Sequence, residues 1–196
     1  MTSSFDGQAS DFDQRTGLPN SACEAVVDTL LQLTSSEKDA AVNIVELGAG
    51  TGQIGQFFRS NRLNYIGLDN SNEMLELFRA RVPDETSGTS ESFQIVTADV
   101  NEKWPVDTLS AHLVFSSRAV HLFDTEHVCE ELNRVASSLG LVFAVGRRKR
   151  AKTSVQAVMR GQMRSLLNEQ GIEGRDGQNH MVKITKLLQQ ITTVIQ

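Results

Sequence analysis

Val42-Asn43-Ile44-Val45-Glu46-Leu47-Gly48-Ala49-Gly50-Thr51-Gly52 decides the fold of this 196-residue chain. An apolar run of strand length, Val42 to Leu47, ends in an acid and then in three alternating glycines. Glycine lets the backbone turn sharply and leaves main-chain N–H groups open to a ligand, with no Cβ in the way. A helix that starts directly after such a turn aims the positive end of its dipole at the same spot. The spacing predicts that helix from about Gln53 to Asn61, with Ile54, Phe57 and Phe58 turned inward.

Working outward, strands and helices alternate. Upstream, Ser21-Ala22-Cys23-Glu24 forms a capping box, and an apolar stripe through Val26, Val27, Leu30, Leu31 and Leu33 carries a helix to about Thr34. Downstream, Tyr65 to Leu68 is a second strand ending at Asp69. Asn70 to Glu73 caps a helix carrying Met74, Leu75, Phe78 and Val82, which stops at Pro83. The polar run 84–92 is a loop. Phe93 to Val96 and Leu113 to Phe115 are the third and fourth strands, the latter preceded by a turn around Trp104-Pro105. Val128, Leu132, Val135 and Leu139 mark a helix stopped by Gly140. Leu141 to Val145 is a fifth strand, followed by a helix from about Ser154 to Glu169, a glycine-rich connector over Gly171 to Gln178 and a last amphipathic helix. There is no internal repeat. The pattern predicts an α/β, Rossmann-like doubly wound and mostly parallel sheet with helices on both faces. Ligands of such sheets bind beyond the carboxyl ends of the strands, where strand order reverses.

Composition narrows the function classes. Hydrophobic residues make up 39%, charged residues 22%, and the net charge is −5. That balance suits a soluble globular domain and gives no electrostatic match to nucleic acid or anionic membrane. Arg147-Arg148-Lys149-Arg150 lacks interleaved aromatics and reads as a solvated strand exit. Cys23 and Cys129 stand far apart with no CxxC, which argues for buried thiols rather than a disulfide framework or zinc site; no metal site is expected. The start of the chain has no signal-peptide pattern, and no apolar run approaches the ~20 residues of a membrane span. A cytoplasmic location is the expectation.

The glycine loop supports two cofactor readings. Gly50-Thr51-Gly52-Gln53-Ile54-Gly55 fits G-x-G-x-x-G, and Asp69 lies 19 residues beyond its first glycine, a dinucleotide fingerprint. Electrostatics favours the other reading. A carboxylate at Glu46 repels a pyrophosphate but attracts the ammonium of an amino-acid moiety. Glu46 to Gly52 resembles motif I of the class I S-adenosylmethionine-dependent methyltransferases, an acid followed one residue later by G-x-G-x-G, and the resemblance runs from about Phe5 to the last helix, nearest the small-molecule enzymes.

That resemblance implies a site. Gly48, Ala49, Gly50 and Gly52 would surround the methionine part of S-adenosylmethionine, with Glu46 on its ammonium. Asp69, with Asn70 beside it, would accept the ribose hydroxyls, and Met74 would lie against adenine. Asp99 would take the adenine amino group and the Val100 N–H a ring nitrogen. Ser116 and Ser117, in the motif IV stretch Phe115 to Leu122, would contact the methionine part. His121 is the candidate general base, its ordinary pKa being near neutrality, with packing or shaping of the acceptor pocket as the alternative. Arg118 reads as a surface salt bridge or as a guide for an anionic substrate. Phe12-Asp13-Gln14-Arg15 resembles the segment with which relatives cover the cofactor; Phe12 stands where a Tyr is usual, and Arg15 is the cofactor-contacting candidate.

The implied organisation is a cofactor domain over 1–150, with a covering segment at 1–34, and a helical lid or appendage over 151–196. Relatives continue to a sixth strand and an antiparallel seventh. Here the helical pattern runs to Gln196, so the expectation is either a C-terminally shortened fold without those strands or a final helix that closes the sheet edge in their place. The expected activity is methyl transfer to a small-molecule O, N or C acceptor by a monomer or homodimer, with no nucleic-acid or membrane partner. A NAD(P)-dependent oxidoreductase and a non-catalytic cofactor-binding domain are the alternatives.

Overall fold

A computed structural model describes residues 7, 9–34, 41–58, 63–82, 92–137 and 165. Apart from residue 165, the expected fifth strand, the helices after it, the glycine-rich connector and the basic run at 147–150 lie outside the described residues. So does most of the polar loop at 84–92.

Helices α1 (Ala9–Thr16) and α2 (Asn20–Thr34) precede strand β1 (Val42–Leu47), which is followed by β2 (Leu63–Asp69). Helix α3 (Asn72–Arg81), strands β3 (Ser92–Thr97) and β4 (Leu113–Phe115) and helix α4 (Thr125–Val135) complete the described elements. The four strands form one parallel sheet in the order β3-β2-β1-β4. The chain winds outward from β1 to β3, then returns to the other side of β1. The reversal of winding therefore falls between β1 and β4, which places a ligand crevice beyond their carboxyl ends.

Alternation along β1 explains the two-sided core. Ile44 faces one layer with Cys23, Val27 and Leu30 of α2 and Leu75 and Phe78 of α3. Val45 and Leu47 face the other, with Val128, Leu132 and Val135 of α4 and the buried Trp104. Successive strand residues point to opposite faces, and both faces of a parallel sheet are covered, so the strands read as near-continuous apolar runs. No described helix is long and apolar enough to cross a membrane.

Three local expectations change. The helix placed from Gln53 is, within the described residues, a single 3₁₀ turn at Gly55–Phe57. Glycines at 52 and 55 weaken helix propagation there, and Gln53 is drawn into side-chain bonds with α1. The cap of α3 is Ser71, whose Oγ accepts from the Met74 N–H at 3.3 Å, rather than Asn70. Helix α4 ends at Val135, ahead of Gly140, because the chain turns extended at Ala136 to bridge Ala111 beside the sheet.

Candidate functional site

The carboxyl ends of all four strands meet around one cavity of about 190 Å3. Gly48 comes from the end of β1, Asp69 and Asn70 from β2, and Asp99 and Val100 from the loop after β3. Four further residues line the cavity: Ala119 and Leu122, which the motif IV stretch contains without their being singled out, and Asn101 and Phe123, which escaped the sequence reading. Their signal was faint, since Ala119, Leu122 and Phe123 follow β4 as an apolar group that also fits plain core. The lining carries two carboxylates and no lysine or arginine, which suits a nucleoside without phosphates. The volume lies below the roughly 300–1,000 Å3 of pockets that bury drug-sized ligands.

Backbone bonds fix the two acids. Asp69 accepts from the Gly50 N–H at 2.8 Å through Oδ2 and from the Ser71 N–H at 2.9 Å through Oδ1. Each carboxylate oxygen has a second lone pair, so the same group can also receive ligand hydroxyls. Asp99 accepts from the Asn101 N–H at 2.9 Å, and Asn101 in turn accepts from the Asp124 N–H at the start of α4, at 2.6 Å.

The three glycines of the loop are alike in sequence and unlike in structure. All have positive φ, which other residues adopt only with strain. At Gly52 a Cβ would lie 2.0 Å from the Phe78 ring, and at Gly48 one would lie 2.5 Å from Ala119 Cβ, so these glycines are required by packing. At Gly50, with φ +55°, nothing lies within 4 Å of a Cβ. The backbone at Gly50, which is not among the lining residues of the cavity, is thus open to close approach.

Glu46 lies at the end of β1, 2% exposed, and does not line the cavity. Its Oε2 accepts the Tyr65 hydroxyl. Burial pushes its pKa up to about 8; the Tyr65 bond opposes the shift, the Asp69 charge adds to it, and Arg118 pulls it down. Ala49 and Met74 are buried at 6% and 2%. Ser116 is buried too, and its Oγ donates to the Leu47 carbonyl at 2.8 Å, tying the ends of β4 and β1 together. His121 is half-buried on the 3₁₀ turn Val120–Leu122, beside the lining residue Leu122.

The N-terminal segment is latched onto the glycine loop. Asp13 Oδ1 on α1 accepts from Thr51 Oγ1 at 2.6 Å and from Gln53 Nε2 at 2.5 Å, while its other oxygen pairs with Arg81 of α3. Arg118 donates to Gln53 Oε1 at 2.9 Å and to the Thr16 carbonyl, so this residue, read from the sequence as a surface ion pair or a substrate guide, fastens the end of β4 to α1. Arg15 lies on α1 between these anchors, its side chain outside the described atoms.

Sheet order, glycine loop and strand-end cavity define a Rossmann-like domain. Residues 44–140 match the family described as a methyltransferase domain. The chain belongs, through this segment, to the class I S-adenosylmethionine-dependent methyltransferase family. Among solved structures, a Methanococcus maripaludis protein designated an S-adenosyl-L-methionine-dependent methyltransferase shares 17% identity and a TM-score of 0.61, over 97% of this chain and 86% of its own. A chain from the complex of the Haloferax volcanii Trm112 methyltransferase activator with a methyltransferase shares 22% identity and a TM-score of 0.50, over 71% of this chain and 56% of its own. Phosphoethanolamine N-methyltransferase 2 of Haemonchus contortus shares 18% identity and a TM-score of 0.51, over 90% of this chain and 43% of its own. These likenesses concern the fold, and the chain spans about half the length of the last two relatives. No curated protein sequence matches the chain.

Proposed function

We propose that the protein binds S-adenosylmethionine across the four strand ends and transfers its methyl group to a small-molecule O, N or C acceptor. The observation that carries the reading is that Asp69, bonded to the open backbone at Gly50, and Asp99 line the same cavity. In this reading Asp69 receives the ribose hydroxyls, Asp99 the adenine amino group and the Val100 N–H a ring nitrogen. Glu46 supplies the charge for the ammonium. The bound cofactor supplies a methyl group on a sulfonium, already a ready electrophile. What remains for the chain is to hold donor and acceptor in line, and such positioning supplies on the order of 7–11 kcal/mol in favourable intramolecular cases. His121, beside the lining residue Leu122, is the candidate base for an acceptor arriving over the turn after β4, with packing or shaping of the acceptor pocket as its other role.

Calorimetry on cofactor-stripped protein tests the assignment. Saturable binding of S-adenosylhomocysteine, with no heat from NADH, is the expected result; heat from NADH alone would replace this reading with the oxidoreductase one. Asp69→Ala should weaken S-adenosylhomocysteine by about 1.5–3 kcal/mol, the scale of hydrogen bonds to a charged group. A folded Asp69→Ala variant that binds like the parent would move the site elsewhere.

A further inference from the structure

Tyr65 is a fully buried core side chain whose hydroxyl reaches the carboxyl end of the sheet. On the parallel pair β1–β2, Ile44 lies opposite Tyr65 and Glu46 opposite Gly67. Side chains two apart on a strand share a face, so Tyr65, Gly67, Ile44 and Glu46 all point to the α2–α3 side. The Tyr65 ring therefore runs along the sheet, and its hydroxyl reaches Glu46 diagonally, over the position where residue 67 has no side chain. A Cβ on Gly67 would lie 2.9 Å from that hydroxyl, and one on Gly55, in the 3₁₀ turn after the glycine loop, would lie 2.2 Å from it. Two glycines, one on β2 and one in the 3₁₀ turn, thus leave the slot the hydroxyl occupies.

The ring is clamped as well. Phe93 stacks on it at 4.6 Å between centroids, Phe58 at 5.6 Å, and Phe78 meets it edge-on at 6.1 Å. Tyr65 is fully buried, so the hydroxyl has no water to exchange with. A buried hydroxyl donates to a partner or stays unsatisfied at a cost of about 1–3 kcal/mol, and here the donor is aimed at a carboxylate. A hydrogen bond to the charged form of an acid favours that form, opposing the burial that pushes Glu46 up. Asp69 and Arg118 are the other charged groups acting on Glu46.

We infer that Tyr65 is a positioning residue for the cofactor's amino-acid end: its hydroxyl, admitted by Gly55 and Gly67, holds the Glu46 carboxylate in the orientation that receives the ligand ammonium. The inference rests on the reading under Proposed function and adds to it a residue that touches no cofactor itself. It is tested on the full chain with two ligands, S-adenosylhomocysteine, which carries the ammonium, and 5′-methylthioadenosine, which shares the adenosine and sulfur but lacks the amino-acid group. Tyr65→Phe keeps the clamped ring and removes the hydroxyl. It should lower S-adenosylhomocysteine affinity tenfold or more and leave methylthioadenosine within twofold of the parent. Gly67→Ala, which displaces the hydroxyl and keeps it on the ring, should give the same selective loss, and serves if Tyr65→Phe does not fold. Equal losses for both ligands would make Tyr65 a general packing residue, and no loss for either would sever it from Glu46; each outcome overturns the inference. A parent protein that binds neither ligand overturns the cofactor reading first and this inference with it.

Discussion

Glu46 and Glu131 are both withdrawn from water, 2% and 6% exposed, and the chain treats them in opposite ways. Glu131 on α4 is met by a guanidinium fork, Arg134 Nε to Oε1 at 2.8 Å and Nη2 to Oε2 at 2.5 Å, and also accepts from the Trp104 N–H at 2.8 Å. The Arg134 bond holds its carboxyl below the usual range. Arg134 continues to the carbonyls of Val106 and Trp104, stitching the loop before β4 to the helix. Glu46 is met by a neutral phenol, and burial prevails. A buried carboxylate is tolerated when paired and resisted when not. The difference separates an acid completed by its own chain from one that is not, and under the proposed function the second is the one whose ionised form a ligand ammonium would favour.

The comparison can be broken most severely at Arg134. Arg134→Ala removes the fork and leaves a buried charge behind, and should destabilise the fold by about 3 kcal/mol, measured by urea unfolding at neutral pH. A loss below ~0.5 kcal/mol would show that Glu131 is solvated after all.

The next effect is a pair of opposite pH slopes. Glu131, with a lowered pKa, contributes stability that is present above the ordinary carboxylate range and fades as pH falls through its folded value. Glu46, with its folded value raised to about 8, contributes stability that is present below its ordinary value and fades as pH rises from there through about 8. Thermal melts of ligand-free protein should show Glu46→Gln flattening the decline on the alkaline side and leaving the acid side intact. A parent melting curve flat between pH 5 and 9, unchanged by the substitution, would mean that Glu46 is ionised without a ligand. The smallest expected change is in the ligand-bound protein, where the ammonium favours the carboxylate. There the alkaline decline should shrink when S-adenosylhomocysteine is present.

Much of this was legible in the residues. The bounds of β1 and β4 followed from apolar runs flanked by a glycine loop and a turn, because period and punctuation are local properties of the chain. Asp69, Asn70, Asp99 and Val100 were placed at strand ends by the same logic, and they line one cavity. The helix after the glycine loop did not follow, because Gly55 answers to a side chain on β2 rather than to its own helix propensity.

Pattern along the chain was sufficient for the positions of the four described strands, for the alternation that covers both faces of the sheet, and for the acids at its carboxyl edge. Tertiary structure alone decided that Gly52 is a glycine for the sake of Phe78, while Gly50 is one that leaves open space. It decided that Asp13 grips Thr51 across 38 residues and that Arg118 reaches Thr16 across 102. It also made Tyr65, in sequence an ordinary strand aromatic, the partner of Glu46. The reason is one of range: propensity and periodicity act within a turn or a strand, whereas a hydrogen bond between buried side chains depends on which surfaces the finished sheet brings together.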